Sequence, residues 1–167
     1  MNHPIYMVSG SKGGTGKSMV SLALVDYLSE KLQKKVFLVE SDTSNPDVGR
    51  VFLKQVDGVQ RLPGAALDLD KGEGWMQFID SVEQYPDHFF VVNCAARDGS
   101  GIAQSVKLLE QSLRGLERKL TTLWVINTQR DSLELCKRYM ELVPFGTLHI
   151  IRNKFFGDID KFELYEV

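Results

Sequence analysis

Ten residues near the start of the chain, Ser9-Gly10-Ser11-Lys12-Gly13-Gly14-Thr15-Gly16-Lys17-Ser18, restrict the fold more than any other stretch. They follow a short apolar run, Ile5 to Val8, and open a helical pattern that runs from about Gly16 to Leu32. Strand, Gly-rich loop and helix in that order is the setting in which a loop wraps a phosphate. Glycines adopt dihedrals closed to other residues and let the backbone come close to an anion. Inward-turned N–H groups and the positive end of the next helix then hold the charge. Lys17 is placed to reach the outer phosphates of a nucleotide, and the Ser18 hydroxyl to ligate Mg²⁺.

The rest of the chain alternates in the same way. Val36 to Val39, Phe89 to Val92, Leu123 to Ile126 and Leu148 to Ile151 read as further buried strands. Continuous apolar strands suit a parallel sheet covered on both faces. Between them lie helical stripes: Trp75, Ile79 and Val82; Ile102, Val106, Leu109, Leu113 and Leu116; Leu133, Cys136, Met140 and Val143. The expected architecture is one doubly wound α/β domain over residues 1–167, mostly parallel, with helices on both faces. Residues 46–70 are the least regular part, with turn signals at Asn45-Pro46, Asp57-Gly58 and Pro63-Gly64 and a short helix at Val48 to Lys54.

Charge excludes one class of function. The 167 residues carry 20 Lys+Arg against 22 Asp+Glu, a net charge of -2. A dedicated nucleic-acid binder has a clear basic excess, so DNA contact here needs a local patch or a partner. Candidate patches are Lys31, Lys34 and Lys35; Arg114, Arg118 and Lys119; and Lys137 with Arg138. Cys94 and Cys136 have no partner motif, which argues against a disulfide framework and a zinc site and for a reducing, cytoplasmic compartment. No secretory or membrane-spanning run is visible.

The loop departs from the usual Gly-x-x-x-x-Gly-Lys-Ser/Thr pattern, because Ser11 stands where its first Gly belongs. It fits Lys-Gly-Gly-x-Gly-Lys followed by Ser or Thr instead. Chance would produce that match in roughly one chain in tens of thousands. At these residues the chain resembles the deviant Walker A ATPases of the ParA/MinD group, the P-loop ATPases of partition, septum placement and related tasks.

The resemblance implies a set of roles. Lys12 would reach across a nucleotide-sandwich homodimer to the partner's phosphates. Gly13, Gly14, Thr15, Gly16, Lys17, Ser18 and Met19 would bind ATP. Lys12, Lys17 and Asp42 would serve catalysis. Val36-Phe37-Leu38-Val39-Glu40-Ser41-Asp42 is similar to the second strand and switch I, where Asp42 matches the Asp that positions the attacking water. Ser18, Asp42 and Glu40 would form the Mg²⁺ side. Asn153, after Leu148 to Ile151, matches an Asn that recognises adenine; capping a turn at the strand end is an equally good reading. Phe155 and Phe156 beyond it read as core.

Two acidic positions break the family pattern. Glu40 stands where Asp is more usual, and Asn93 stands in place of the Walker B Asp. An amide carries no charge toward Mg²⁺, so the metal site is weakened and fast hydrolysis is in doubt; Asp98, Asp42 or Glu40 could substitute. Cys94 has no base beside it and reads as a packing residue. Asn127 to Ser132 reads as a rim of the pocket, with Asp131 or Ser132 capping the next helix.

The chain is short for the group, which reads as a minimal member or one shortened at its C-terminus. Three functions stay open: a nucleotide-driven dimer switch in DNA (plasmid) partition, stability or transfer; an ATP-dependent recruitment module that hydrolyses slowly or not at all; and a dethiobiotin-synthetase-like ligase or small-molecule kinase. The expected partners are a second copy and DNA or a DNA-binding adaptor, with no membrane.

Overall fold

The computed structural model describes residues 3–10, 13–56, 59–96 and 100–165. The chain runs β1 (Ile5–Ser9), α1 (Lys17–Asp26) with a π-type turn at Tyr27–Lys31, and β2 (Val36–Glu40). Next come α2 (Asp47–Phe52), β3 (Gln55–Val56), β4 (Val59–Gln60), β5 (Gly64–Ala66) and α3 (Gly72–Gln84). It finishes with β6 (Phe89–Asn93), α4 (Ser100–Gly115), β7 (Leu120–Ile126), α5 (Asp131–Leu142), β8 (Thr147–Arg152) and two 3₁₀ segments, Lys154–Phe156 and Ile159–Tyr165.

Six strands form one sheet in the order β5-β2-β6-β1-β7-β8, and every pairing in it is parallel. The strand residues alternate between two apolar layers, as the period of two requires. Val36 and Leu38 of β2, Val91 of β6 and Val125 of β7 face α1 and α2. Phe37 and Val39, Phe90 and Val92, and Trp124 and Ile126 face α3, α4 and α5. Both faces are covered, so the strands read as unbroken apolar runs rather than alternating ones. The expected doubly wound α/β architecture is therefore the one observed.

Four local expectations need correction. Pro63-Gly64 is not a turn but the entry to an edge strand, β5, that apolar patterning does not reveal. Gly-Ala-Ala has low strand propensity; what selects it is proximity, since a Cβ on Gly64 would lie 2.3 Å from the Leu38 carbonyl oxygen. The first helix ends as an α-helix at Asp26 and continues only as the π-type turn. The α5 stripe is turned by one residue: Tyr139 is buried and Met140 exposed. The Tyr139 hydroxyl is accommodated by a 2.7 Å hydrogen bond with Thr122 Oγ1. Phe155, expected in the core, is 88% exposed.

Arg118 also leaves the list of surface cations. It is buried, donates to the carbonyls of Pro86 (3.2 Å) and His88 (2.7 Å), and lies over the Phe90 ring. Arg114 is paired with Glu110. Lys31, Lys34, Lys35, Lys119, Lys137 and Arg138 stay exposed.

Candidate nucleotide site

The Gly-rich loop leaves the C-terminal end of β1, the central part of a parallel sheet where α/β proteins place their ligands. Its shape depends on three glycines. Gly14 and Gly16 have φ of 78° and 102°, in the left-handed region that a side chain resists. A Cβ on Gly10 would lie 2.5 Å from the Val125 carbonyl oxygen. Gly16 is the cap residue of α1, so the N–H groups of that helix's first turn point back toward the loop. Lys12 lies outside the described residues, as does Asp98.

Behind the loop, Thr15 and Lys17 are buried, whereas Ser18 is half-buried and Met19, in the same first turn, is 70% exposed. Burial moves the Lys17 ammonium below the usual lysine range, and the Asp42 carboxylate opposes that shift. A cation held out of water beside an anion cradle is matched by a phosphate group. The loop is also tied down from the far edge of the sheet. Asn153 Nδ2 donates to the Thr15 carbonyl (2.9 Å) and Asn153 Oδ1 accepts from the Phe155 N–H (3.1 Å). Both halves of this amide are thus used by the chain itself, one on the loop and one capping the 3₁₀ turn.

Glu40, Asn93 and Ser21 meet beneath the loop and are almost fully buried, with Glu40 0% and Asn93 1% exposed. Asn93 Nδ2 donates to Glu40 Oε1 at 2.8 Å, and Ser21 Oγ donates to Asn93 Oδ1 at 2.9 Å. Glu40 Oε1 also accepts from the Asp42 N–H (3.1 Å), and Oε2 from the Gly49 N–H (3.0 Å). Burial raises the Glu40 carboxyl above its ordinary range, and these hydrogen bonds pull it back. Asp42 in turn accepts from the Asn45 N–H at 3.0 Å, so one carboxylate shapes the loop that carries the other. The three side chains Ser21, Glu40 and Asn93 have no joint signature in linear sequence, because Asn93 is 53 residues from Glu40 and 72 from Ser21 along the chain.

The proposed rim after β7 is organised differently from expectation. Asn127 Oδ1 accepts from the Gln129 N–H and from Ser132 Oγ, while the cap position of α5 is Arg130, with no side-chain capping bond. Neither Asp131 nor Ser132 caps the helix. Cys94 follows Asn93, and burial raises its thiol to about 12; Cys136 is raised to about 11. At pH 8 the native protein should therefore react far more slowly with iodoacetamide than free cysteine does, with two thiols labelling quickly in denaturant; quantitative alkylation mass spectrometry checks this.

A family model described as the CobQ/CobB/MinD/ParA nucleotide binding domain matches residues 6–162. The chain belongs to this family. "Protein MobD" of Acidithiobacillus ferrooxidans is 46% identical over 165 residues, covering 99% of this chain and 70% of that protein. Among solved structures, a plasmid partition protein from Borrelia burgdorferi superposes with a TM-score of 0.68 at 14% identity, over 99% of this chain and 85% of the other. A nucleotide-binding protein from Archaeoglobus fulgidus in complex with ADP gives 0.55 at 15% identity, over 97% and 76%. At such identities these two likenesses concern the fold. The family is that of a nucleotide-binding domain, and residues 6–162, which include the Gly-rich loop, match it.

No described helix is long and apolar enough to cross a membrane. Among the described residues no group of three or more His, Cys, Asp or Glu side chains could hold a metal ion. Mg²⁺ is commonly held jointly with nucleotide phosphates and few protein groups. Ser18, half-buried, and Asp42 offer hard oxygens for such an ion, whereas Glu40, also expected there, has both carboxylate oxygens engaged by Asn93, Asp42 and Gly49.

Proposed function

We propose that the chain binds ATP with Mg²⁺, pairs with a second copy in that state, and uses hydrolysis to reset in DNA (plasmid) partition, stability or transfer. The observation that carries this reading is Lys17, buried at the first position of α1 and in the field of Asp42. The fold of the plasmid partition neighbour supports the DNA-related role.

The loop glycines supply close backbone N–H contacts, and Lys17 neutralises charge on the transferring phosphoryl group. Bound Mg²⁺ would be held by Ser18 and by Asp42 and would neutralise charge shared between phosphates. Asp42 orients the attacking water and accepts its proton. Asp42→Asn is expected to lower turnover by roughly a hundredfold while nucleotide affinity changes less than about threefold. A phosphate-release assay beside a nucleotide titration checks the pair of values.

Light scattering with ADP and with ATP, each with Mg²⁺, tests the dimer switch. ATP alone should double the mass, and Lys12→Ala should stay monomeric. An unchanged mass with intact ATP binding would remove the mechanism. Asn93 favours a second reading, in which the ATP state recruits a DNA-binding partner and turnover is slow. A stable ATP-bound dimer without measurable phosphate release would select it.

A further inference from the structure

We infer that Glu40 is the positioning residue of the Asp42 loop, and that Asn93 serves to lock Glu40 rather than to face a metal ion. The inference rests on the ATPase reading only in naming what Asp42 does; the lock is a property of the chain.

Three donors converge on the Glu40 carboxylate from three places: Asn93 Nδ2 at the end of β6, the Asp42 N–H in the loop, and the Gly49 N–H in α2. Two of them are backbone groups, which can only donate, so both Glu40 oxygens accept. The Asn93 amide completes the set. Its nitrogen donates to Glu40 and its oxygen accepts from the Ser21 hydroxyl, an orientation consistent with the whole network. Every hydrogen-bonding atom of the Asn93 side chain that meets a neighbour is thus turned to α1 or β2. Gly49 belongs to the same arrangement: a Cβ there would sit 3.3 Å from Glu40 Cγ, tighter than ordinary contact.

An aspartate at 93 would place an oxygen where Asn93 Nδ2 now lies, 2.8 Å from Glu40 Oε1. An ionised carboxylate there has no hydrogen to donate, so the bond from position 93 to Glu40 is lost. The amide at 93 supplies the donor that Glu40 Oε1 uses. The same glutamate, held at both oxygens, sets the start of the loop that carries Asp42.

Exchange of the two side-chain types tests this. Asn93→Asp and Glu40→Gln would be measured alone and together, with Ser21→Ala as a milder probe. The readouts are Tm without nucleotide, amide exchange over residues 41–49, and kcat and KM for ATP with Mg²⁺. Each of the two exchange variants alone should lower Tm by on the order of 5 °C and speed exchange in the loop. Each should lower kcat about tenfold with KM for ATP nearly unchanged. The double variant restores an amide facing a carboxylate but turns an NH₂ group toward the Asp42 N–H; it should recover part of the Tm loss, a coupling that independent sites do not show.

Losses that simply add in the double variant would overturn the lock. So would an Asn93→Asp protein with unchanged Tm, faster turnover and a lower Mg²⁺ requirement, since residue 93 would then act at the metal. Should the wild type bind ATP without hydrolysing it, the ATPase reading fails while Tm and exchange still decide the lock.

Discussion

Replacing Gly16 with alanine is expected to lower stability by about 3 kcal/mol and to remove measurable nucleotide binding. Two separate costs meet at this residue. Its φ of 102° lies where a Cβ strains the backbone, at about 1 to 3 kcal/mol. The added Cβ would also lie 2.4 Å from Asn153 Nδ2, so the bond from Asn153 to the Thr15 carbonyl must break. That loss costs about 1 kcal/mol and frees the loop from β8. For a domain of this size the sum shifts Tm down by roughly 6 to 12 °C. Calorimetry gives the stability, and titration with a fluorescent ATP analogue gives the binding. The companion variant Asn153→Ala should show the smaller stability loss alone, about 1 kcal/mol, and a binding defect of only a fewfold.

The second large effect is expected for Lys17→Ala. A charge-assisted contact to phosphate is worth about 1.5 to 3 kcal/mol, so affinity should fall by up to about a hundredfold. Turnover should fall by a further factor on the order of 100 to 1,000, since the ammonium acts most strongly on charge that grows during transfer. Stability should move the other way. Burial lowers the Lys17 pKa, so the folded nucleotide-free protein holds this charge at a cost. That penalty is present below the ordinary lysine range and disappears only as pH rises toward it. Lys17→Ala is therefore expected to keep or slightly raise Tm without nucleotide while losing the Tm increase that ATP gives the wild type. A variant that unfolds early, or that retains full ATP stabilisation, would contradict this account.

Much of the molecule was legible in one dimension. The main strands announce themselves as apolar runs because a parallel sheet buries both faces. The Gly-rich loop announces itself because few residues besides glycine tolerate the backbone at positions 14 and 16. Gly64, Ala65 and Ala66 were not legible as a strand, since their pairing with Leu38, Val39 and Glu40 depends on space beside β2 and not on their own propensity. Tyr139 and Met140 show the same limit. A stripe predicts a helix face to within about one residue, and the Thr122 hydroxyl, which arrives from β7, selects the tyrosine.

The departures at Glu40 and Asn93 illustrate the division most directly. Each looks like a separate weakening of the Mg²⁺ site while the chain is read as a string. In the folded protein they are one hydrogen-bonded pair, 53 residues apart in sequence and 2.8 Å apart in space. Residue types and local spacing were enough to establish the alternating α/β plan and to point to the Gly-rich loop and the acidic residues at the end of β2, because backbone dihedrals and hydrophobic period are local properties. Which carboxylate is held, which amide holds it, and which edge of the sheet steadies the loop came from packing. Those choices depend on donors and acceptors that meet only when distant strands are brought side by side and water is excluded between them.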